Sequence, residues 1–198
     1  MEHKGYNFEY FSGTMTENEF VEMVDILEDF KPKRICELGS GQSTVLFENY
    51  CSKSGCELFS IEHNYKYRRK NTIMMKLIDN ETNITIGGRQ YNSCNKYVGF
   101  ENWLEKQDKF DFILIDGPFG YGKRLNYKYN RIQILSFAIL DKIQDEAFVL
   151  YHDSERPNAK TTLEEFENII KEKGFSFEKR TINDLPELTI YKLSKKTK

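Results

Sequence analysis

Apolar residues first recur at helical spacing at Phe20, Met23, Val24, Leu27 and Phe30. Thr16 followed by Glu19 forms a capping box ahead of them, so a helix is expected there, stopping before Pro32. Short apolar runs bounded by turn residues predict strands at residues 34–38, 57–62, 84–86, 110–116, 147–152, 175–181 and 188–193. The runs at 112–115 and 148–150 are almost purely apolar, as central parallel strands covered on both faces should be. Helices are expected between the first five strands. One runs from Ser43 to Lys53 and is broken by Gly55; another follows Glu62 and carries Tyr65, Tyr67, Arg68, Arg69 and Lys70 on a solvated face. Between the last two strands there is only the turn Asn183 to Pro186, which predicts an antiparallel hairpin closing one sheet edge. The pattern is that of an α/β fold: a Rossmann-like, seven-stranded, mostly parallel sheet with a terminal antiparallel hairpin and helices on both faces.

Composition narrows the classes. At 198 residues, 39% hydrophobic and 30% charged, the chain reads as one domain with a full core, without linker or repeat. Residues 1–15, with Tyr6, Phe8, Tyr10 and Phe11, read as a lid or an edge segment, and residues 194–198 as a basic tail. No run approaches the ~20 apolar residues of a membrane span, and MEHKGYNFEY lacks the apolar core of a secretory signal, so a cytoplasmic protein is expected. Cys36, Cys51, Cys56 and Cys94 contain no C-x-x-C pair and read as reduced thiols, with zinc improbable. A net charge of −2 provides no basic field for nucleic acid. Oligomeric state is not readable.

The most informative stretch is RICELGSGQSTVLF, residues 34–47. An apolar strand ends near Glu37, Gly39 and Gly41 allow a tight turn and close approach of a ligand, and Ser43 and Thr44 can cap the following helix. A dinucleotide fingerprint would place a third glycine where Thr44 stands, which disfavours an oxidoreductase. An acid at the strand end suits a cationic ligand better than a phosphate. S-adenosylmethionine, with its sulfonium and ammonium, meets that requirement. The acid-x-Gly-x-Gly run resembles the first motif of the class I S-adenosylmethionine-dependent methyltransferases. A second acid, Glu62, ends the next strand 62 − 37 = 25 residues later, where it can accept hydrogen bonds from ribose hydroxyls. The resemblance spans roughly residues 20–193. It implies Glu37 near the methionine amine, Gly39, Gly41, Ser43 and Thr44 at the ligand, Glu62 on the ribose and Asp116 beside the cofactor.

Two further strand ends carry candidate chemistry. FDFILIDGPFGYGKR puts Asp116 at the tip of the fourth strand with Lys123 and Arg124 on the loop beyond it; AFVLYHDSER puts His152, Asp153 and Arg156 at the fifth. These segments are similar to those of the polysaccharide-biosynthesis group that includes glucuronoxylan O-methyltransferases, implying O-methylation of a sugar, glycan precursor or other hydroxylated molecule. Blander readings compete: Asp116 as a turn former before Gly-Pro, and His152 as a buried core histidine. Two mechanisms fit a weakly acidic hydroxyl. His152, held by Asp116 or Asp153, can act as general base near its ordinary pKa of about 6.5. Alternatively, Asp116 and Asp153 hold Mg²⁺, as in catechol-type O-methyltransferases. Ser154 stands where that type expects an amide or a further acid, so the metal-free base is preferred. Arg89, Lys123, Arg124 and Arg156 fit an acidic acceptor. The remaining alternative is a silent S-adenosylmethionine-binding partner protein.

Overall fold

The computed structural model describes residues 1–7, 15–79, 83–92, 95–118, 127–184 and 186–196. Strands β1 (Arg34–Leu38), β2 (Glu57–Glu62), β3 (Thr72–Met74), β4 (Phe110–Ile115), β5 (Ile143–His152), β6 (Phe175–Ile182) and β7 (Leu188–Lys195) form one seven-stranded sheet. Its order is β6-β7-β5-β4-β1-β2-β3. Strands β1 to β5 pair in parallel, and β7 lies antiparallel between β5 and β6. The chain reverses direction at β6–β7 because the connection is too short for a crossover.

Helices cover both faces, and alternation along β4 shows how. Phe112 and Leu114 face a core shared with helices α1 (Glu17–Phe30) and α2 (Gln42–Ser54). Ile113 and Ile115 face the larger core under α3 (Phe100–Glu105), α4 (Gln133–Ile139) and α5 (Pro157–Glu172). A strand buried on both faces therefore reads as a continuous apolar run. The Thr16–Glu19 capping box is present, and α1 ends at Lys31 in a left-handed conformation just before Pro32.

Several expectations change. The third parallel strand is Thr72–Met74; residues 84–86 belong instead to a separate hairpin, Asn83–Ile86 with Arg89–Asn92. Its two-residue turn is Gly87-Gly88, both at positive φ, the geometry that matches strand twist in a tight hairpin. The helix expected after Glu62 is only a 3-10 turn, Tyr65–Tyr67. Strand β5 begins at Ile143, and β7 takes in Ser194 and Lys195 from the expected basic tail.

Cys51 and Cys56 are joined by a disulfide rather than reduced. Gly55 caps α2 in the left-handed conformation and donates its amide to Cys51 O at 2.8 Å, which folds Cys56 back onto Cys51. Cys36 is a buried free thiol, and Cys94 lies outside the described residues.

At the N-terminus, Glu2–His3 pairs with Tyr6–Asn7 as an edge on α1. Tyr6 is buried and donates its hydroxyl to Glu28 at 2.6 Å, while Phe8, Tyr10 and Phe11 lie outside the described residues. Among the described residues no helix is long and apolar enough to cross a membrane.

Candidate active site

The β1–α2 turn is built from backbone outward. Gly39 takes φ 96° and donates its amide to Ile61 O at 2.8 Å, which ties the turn to the tip of β2. Ser40 donates its amide to Glu62 Oε2 at 3.0 Å and its hydroxyl to Tyr67 O at 2.7 Å. Glu62 Oε1 accepts the amides of His63 and Asn64, each at 2.7 Å. The carboxylate expected at the ribose is thus held rigidly beside the turn, with acceptor capacity left on Oε2.

Glu37 has a different role in the turn. It is fully buried and accepts hydroxyl donors from Ser43, from Thr44 at 2.7 Å and from Ser60 at 2.6 Å. Thr44 Oγ1 in turn accepts the Gly41 amide at 2.8 Å, so Glu37 anchors the turn from beneath. Burial drives its pKa up to about 7; the hydroxyl hydrogen bonds oppose that shift and the negative charge of Asp116 adds to it.

At the ends of β4 and β5, His152 Nδ1 lies 2.9 Å from Asp116 Oδ1. Asp153, at φ 59°, directs both carboxylate oxygens at arginines: Oδ2 to Arg131 Nη2 at 2.6 Å and Oδ1 to Arg156 Nη2 at 2.8 Å. Arg131 is buried and also donates to His152 O at 2.6 Å and Pro118 O at 3.3 Å. This arginine escaped the sequence reading, because a single cation ahead of an apolar helix carries no spacing signal. Glu19 escaped for another reason: its capping-box role already explained it. It is fully buried on α1, with Oε1 3.3 Å from His152 Nε2.

These charges change the expected protonation of His152. Burial alone would lower the imidazolium pKa, but Asp116 and Glu19 outweigh it and push the value up to about 10. At neutral pH the ring is therefore a cation that donates, not the base with a pKa near 6.5 read from the sequence. The same positive groups, His152 with Arg131 and Arg156, hold Asp116 below the usual carboxylate range although burial opposes them.

One cavity of about 730 Å³ joins the two regions. Gly39, Gly41, Ser43, Glu62, Asp116, His152, Asp153 and Arg156 line it; Glu37 and Thr44 lie beneath its floor and do not. Lys123 and Arg124 fall outside the described residues. Arg89 sits on the Asn83–Asn92 hairpin, paired with Glu172 at 2.6 Å and Glu165 at 3.5 Å, and is not among the residues lining the cavity.

Asp116, His152 and Asp153 each offer a ligand atom within 4.8 Å of the others, a spacing that could hold a cation. The donor set does not suit one, because both Asp153 oxygens already face guanidinium groups that would repel a divalent ion.

Neither a protein-family model nor a curated protein matches the sequence. Solved structures do match by fold. An O-methyltransferase from Bacillus cereus in complex with SAH is similar over 93% of this chain and 84% of its own, with TM-score 0.59 and 13% identity. An SAH-bound methyltransferase from Podospora anserina has TM-score 0.55 and 14% identity over 93% of this chain and 80% of its own. A precorrin-6y C5,15-methyltransferase from Geobacter metallireducens has TM-score 0.53 and 13% identity, covering 96% and 94%. At these identities the likeness is one of fold, and the fold is the Rossmann-like α/β architecture those methyltransferases share.

Proposed function

We propose that this chain is an S-adenosylmethionine-dependent methyltransferase that acts on a hydroxyl oxygen of a small acceptor, such as a sugar or glycan precursor. The observation that carries the reading is the single cavity running from the Gly39–Ser43 turn and Glu62 to the Asp116–His152 pair. Space for a ligand exists over the turn, since a Cβ on Gly41 would meet nothing within 4 Å. The similar folds named for bound SAH support the same reading.

Gly39, Gly41 and Ser43 would hold the cofactor at the turn, Glu62 would accept from its ribose and Asp116 would face its cationic part. Glu37 and Thr44 act through the turn rather than at the ligand. When bound, S-adenosylmethionine supplies a methyl group on a sulfonium. The acceptor end is formed by Asp116, which keeps the imidazole of His152 oriented through Nδ1, and by Asp153, which is neutralised by Arg131 and Arg156. With those arginines engaged, a neutral acceptor fits the described walls better than the acidic one read from the sequence. The arginine pairing of Asp153 also favours a metal-independent site.

Isothermal calorimetry with S-adenosylhomocysteine tests the reading. Wild type binds, and Glu62→Ala loses about 1.5 to 3 kcal/mol, the range for hydrogen bonds to a charged group. Asp116→Asn and His152→Ala abolish turnover in an acceptor screen while the His152 variant keeps its cofactor affinity. No binding to wild type, or binding of NADH instead, defeats the proposal.

A further inference from the structure

Glu19 is the N3 residue of α1, and only half of its carboxylate serves the helix. Oε2 accepts the Thr16 amide at 2.7 Å while Thr16 Oγ1 accepts the Glu19 amide at 3.3 Å, which fixes the side chain. Glu19 is fully buried yet is among the residues lining the cavity, and its Oε1 lies 3.3 Å from His152 Nε2. That separation is one of charge attraction, and neither buried atom has a well-formed hydrogen bond among the described residues. On the other side of the ring Nδ1 is committed to Asp116 at 2.9 Å, so Nε2 is the ring nitrogen left for a ligand.

A buried acceptor oxygen beside a buried N–H, both on a cavity wall, forms a complementary pair. A hydroxyl satisfies both at once, because its oxygen accepts while its hydrogen is donated. A carboxylate or phosphate would meet the charge of Glu19 with no donor to offer, and an ammonium has nothing with which to accept from Nε2. The surrounding charge agrees. Among the described lining residues, Glu19, Glu62, Asp116, Asp153 and Glu155 face Arg131, Arg156, His152 and His63; both arginines are held by Asp153, and His63 lies 2.8 Å from Glu62. Met15, Met23 and Leu188 add apolar side chains to the cavity lining.

We propose that Glu19 Oε1 and His152 Nε2 together bind the uncharged hydroxyl of the acceptor, which donates to Glu19 and accepts from His152. This rests on the methyltransferase reading and deepens it, making Glu19 a catalytic residue and a determinant of specificity for neutral hydroxylated molecules. In the transfer, the hydroxyl oxygen gains the methyl group as the donor's carbon–sulfur bond breaks, its electron pair returning to sulfur to leave a neutral thioether. The hydroxyl proton passes to Glu19 Oε1 and then to solvent, and His152 keeps its own proton throughout.

The alternative role, a helix cap only, is separable by mutation. Glu19→Gln keeps a competent N3 cap and removes the charge, whereas Thr16→Ala breaks the cap and leaves Oε1 in place. The readout is the ¹H–¹⁵N signal of the His152 ring at pH 7, assigned against His152→Gln, during titration with phenol or with benzoate. Phenol should shift the Nε2 signal in wild type and in Thr16→Ala, with affinity lower by roughly tenfold in Glu19→Gln, the loss of one good hydrogen bond. Benzoate should leave the signal in place. Phenol failing to reach His152, an equal response to benzoate, or wild-type phenol affinity in Glu19→Gln overturns the proposal. Calorimetry with S-adenosylhomocysteine on the same samples separates the two readings. Cofactor binding without a phenol response removes the hydroxyl site alone, and a phenol response without cofactor binding removes the methyltransferase reading alone.

Discussion

Gly39 and Gly117 pack backbone against backbone where β1 and β4 end. A Cβ on Gly39 would stand 2.7 Å from Gly117 N, and one on Gly117 would stand 2.8 Å from Gly39 Cα. The contact follows from the ladder, which carries Asp116 N to Leu38 O at 2.8 Å and brings the two chain tips together beneath the cavity. Gly39→Ala must therefore shift backbone and also hold φ 96°, and we expect a loss of about 1 to 3 kcal/mol in urea unfolding. Gly41→Ala is the contrast: φ there is −179° and the added methyl meets nothing within 4 Å. Its stability should stay within about 0.5 kcal/mol of wild type while S-adenosylhomocysteine binds more weakly. Equal stability of the two variants would contradict this geometry.

Glu37 links stability to pH. Its folded pKa of about 7 lies above the ordinary value of 4.5, so the folded chain holds a proton that the unfolded chain has released. The contribution is fully present below about pH 4.5 and is lost as pH rises through about 7. Denaturant unfolding of wild type and Glu37→Gln should show wild type losing stability relative to the variant across that window. Parallel curves would mean that Glu37 titrates normally.

Arg131 holds the acceptor end together. Arg131→Met leaves one oxygen of the buried Asp153 without its guanidinium and frees the His152 carbonyl, which should cost about 3 to 5 kcal/mol. Adding Asp153→Asn removes the stranded charge and tolerates the left-handed backbone at that position, so the double variant should recover part of the loss. Additive losses in thermal unfolding would show that the pair is not coupled.

Metal independence is the remaining expectation. Dialysis against a chelator should leave turnover unchanged, because both Asp153 oxygens are already paired with arginine. Loss of activity restored by Mg²⁺ or Mn²⁺ would make Asp116 and Asp153 metal ligands and remove the arginine argument.

Local patterns carried much of this protein into the sequence. The capping box at Thr16 and Glu19, the apolar runs of β4 and β5, the glycine turn after β1 and the closing hairpin depend on neighbours within a few residues. They were legible for that reason, and with them the strand ends where Glu62, Asp116, His152 and Asp153 stand. Short elements were not. Thr72–Met74 has too few residues to show a period, and residues 84–86 look like a sheet strand until the Gly87-Gly88 turn is given its hairpin meaning. Tertiary packing alone decided which face each strand-end group presents. It put Glu37 under the floor, turned Arg131 inward across 22 residues to Asp153, and brought Glu19 to His152 from a helix far upstream. Charge interactions depend on distance in space and on exclusion of water, and neither is written in residue spacing. The sequence could therefore name His152, but only its surroundings determine that it carries a proton.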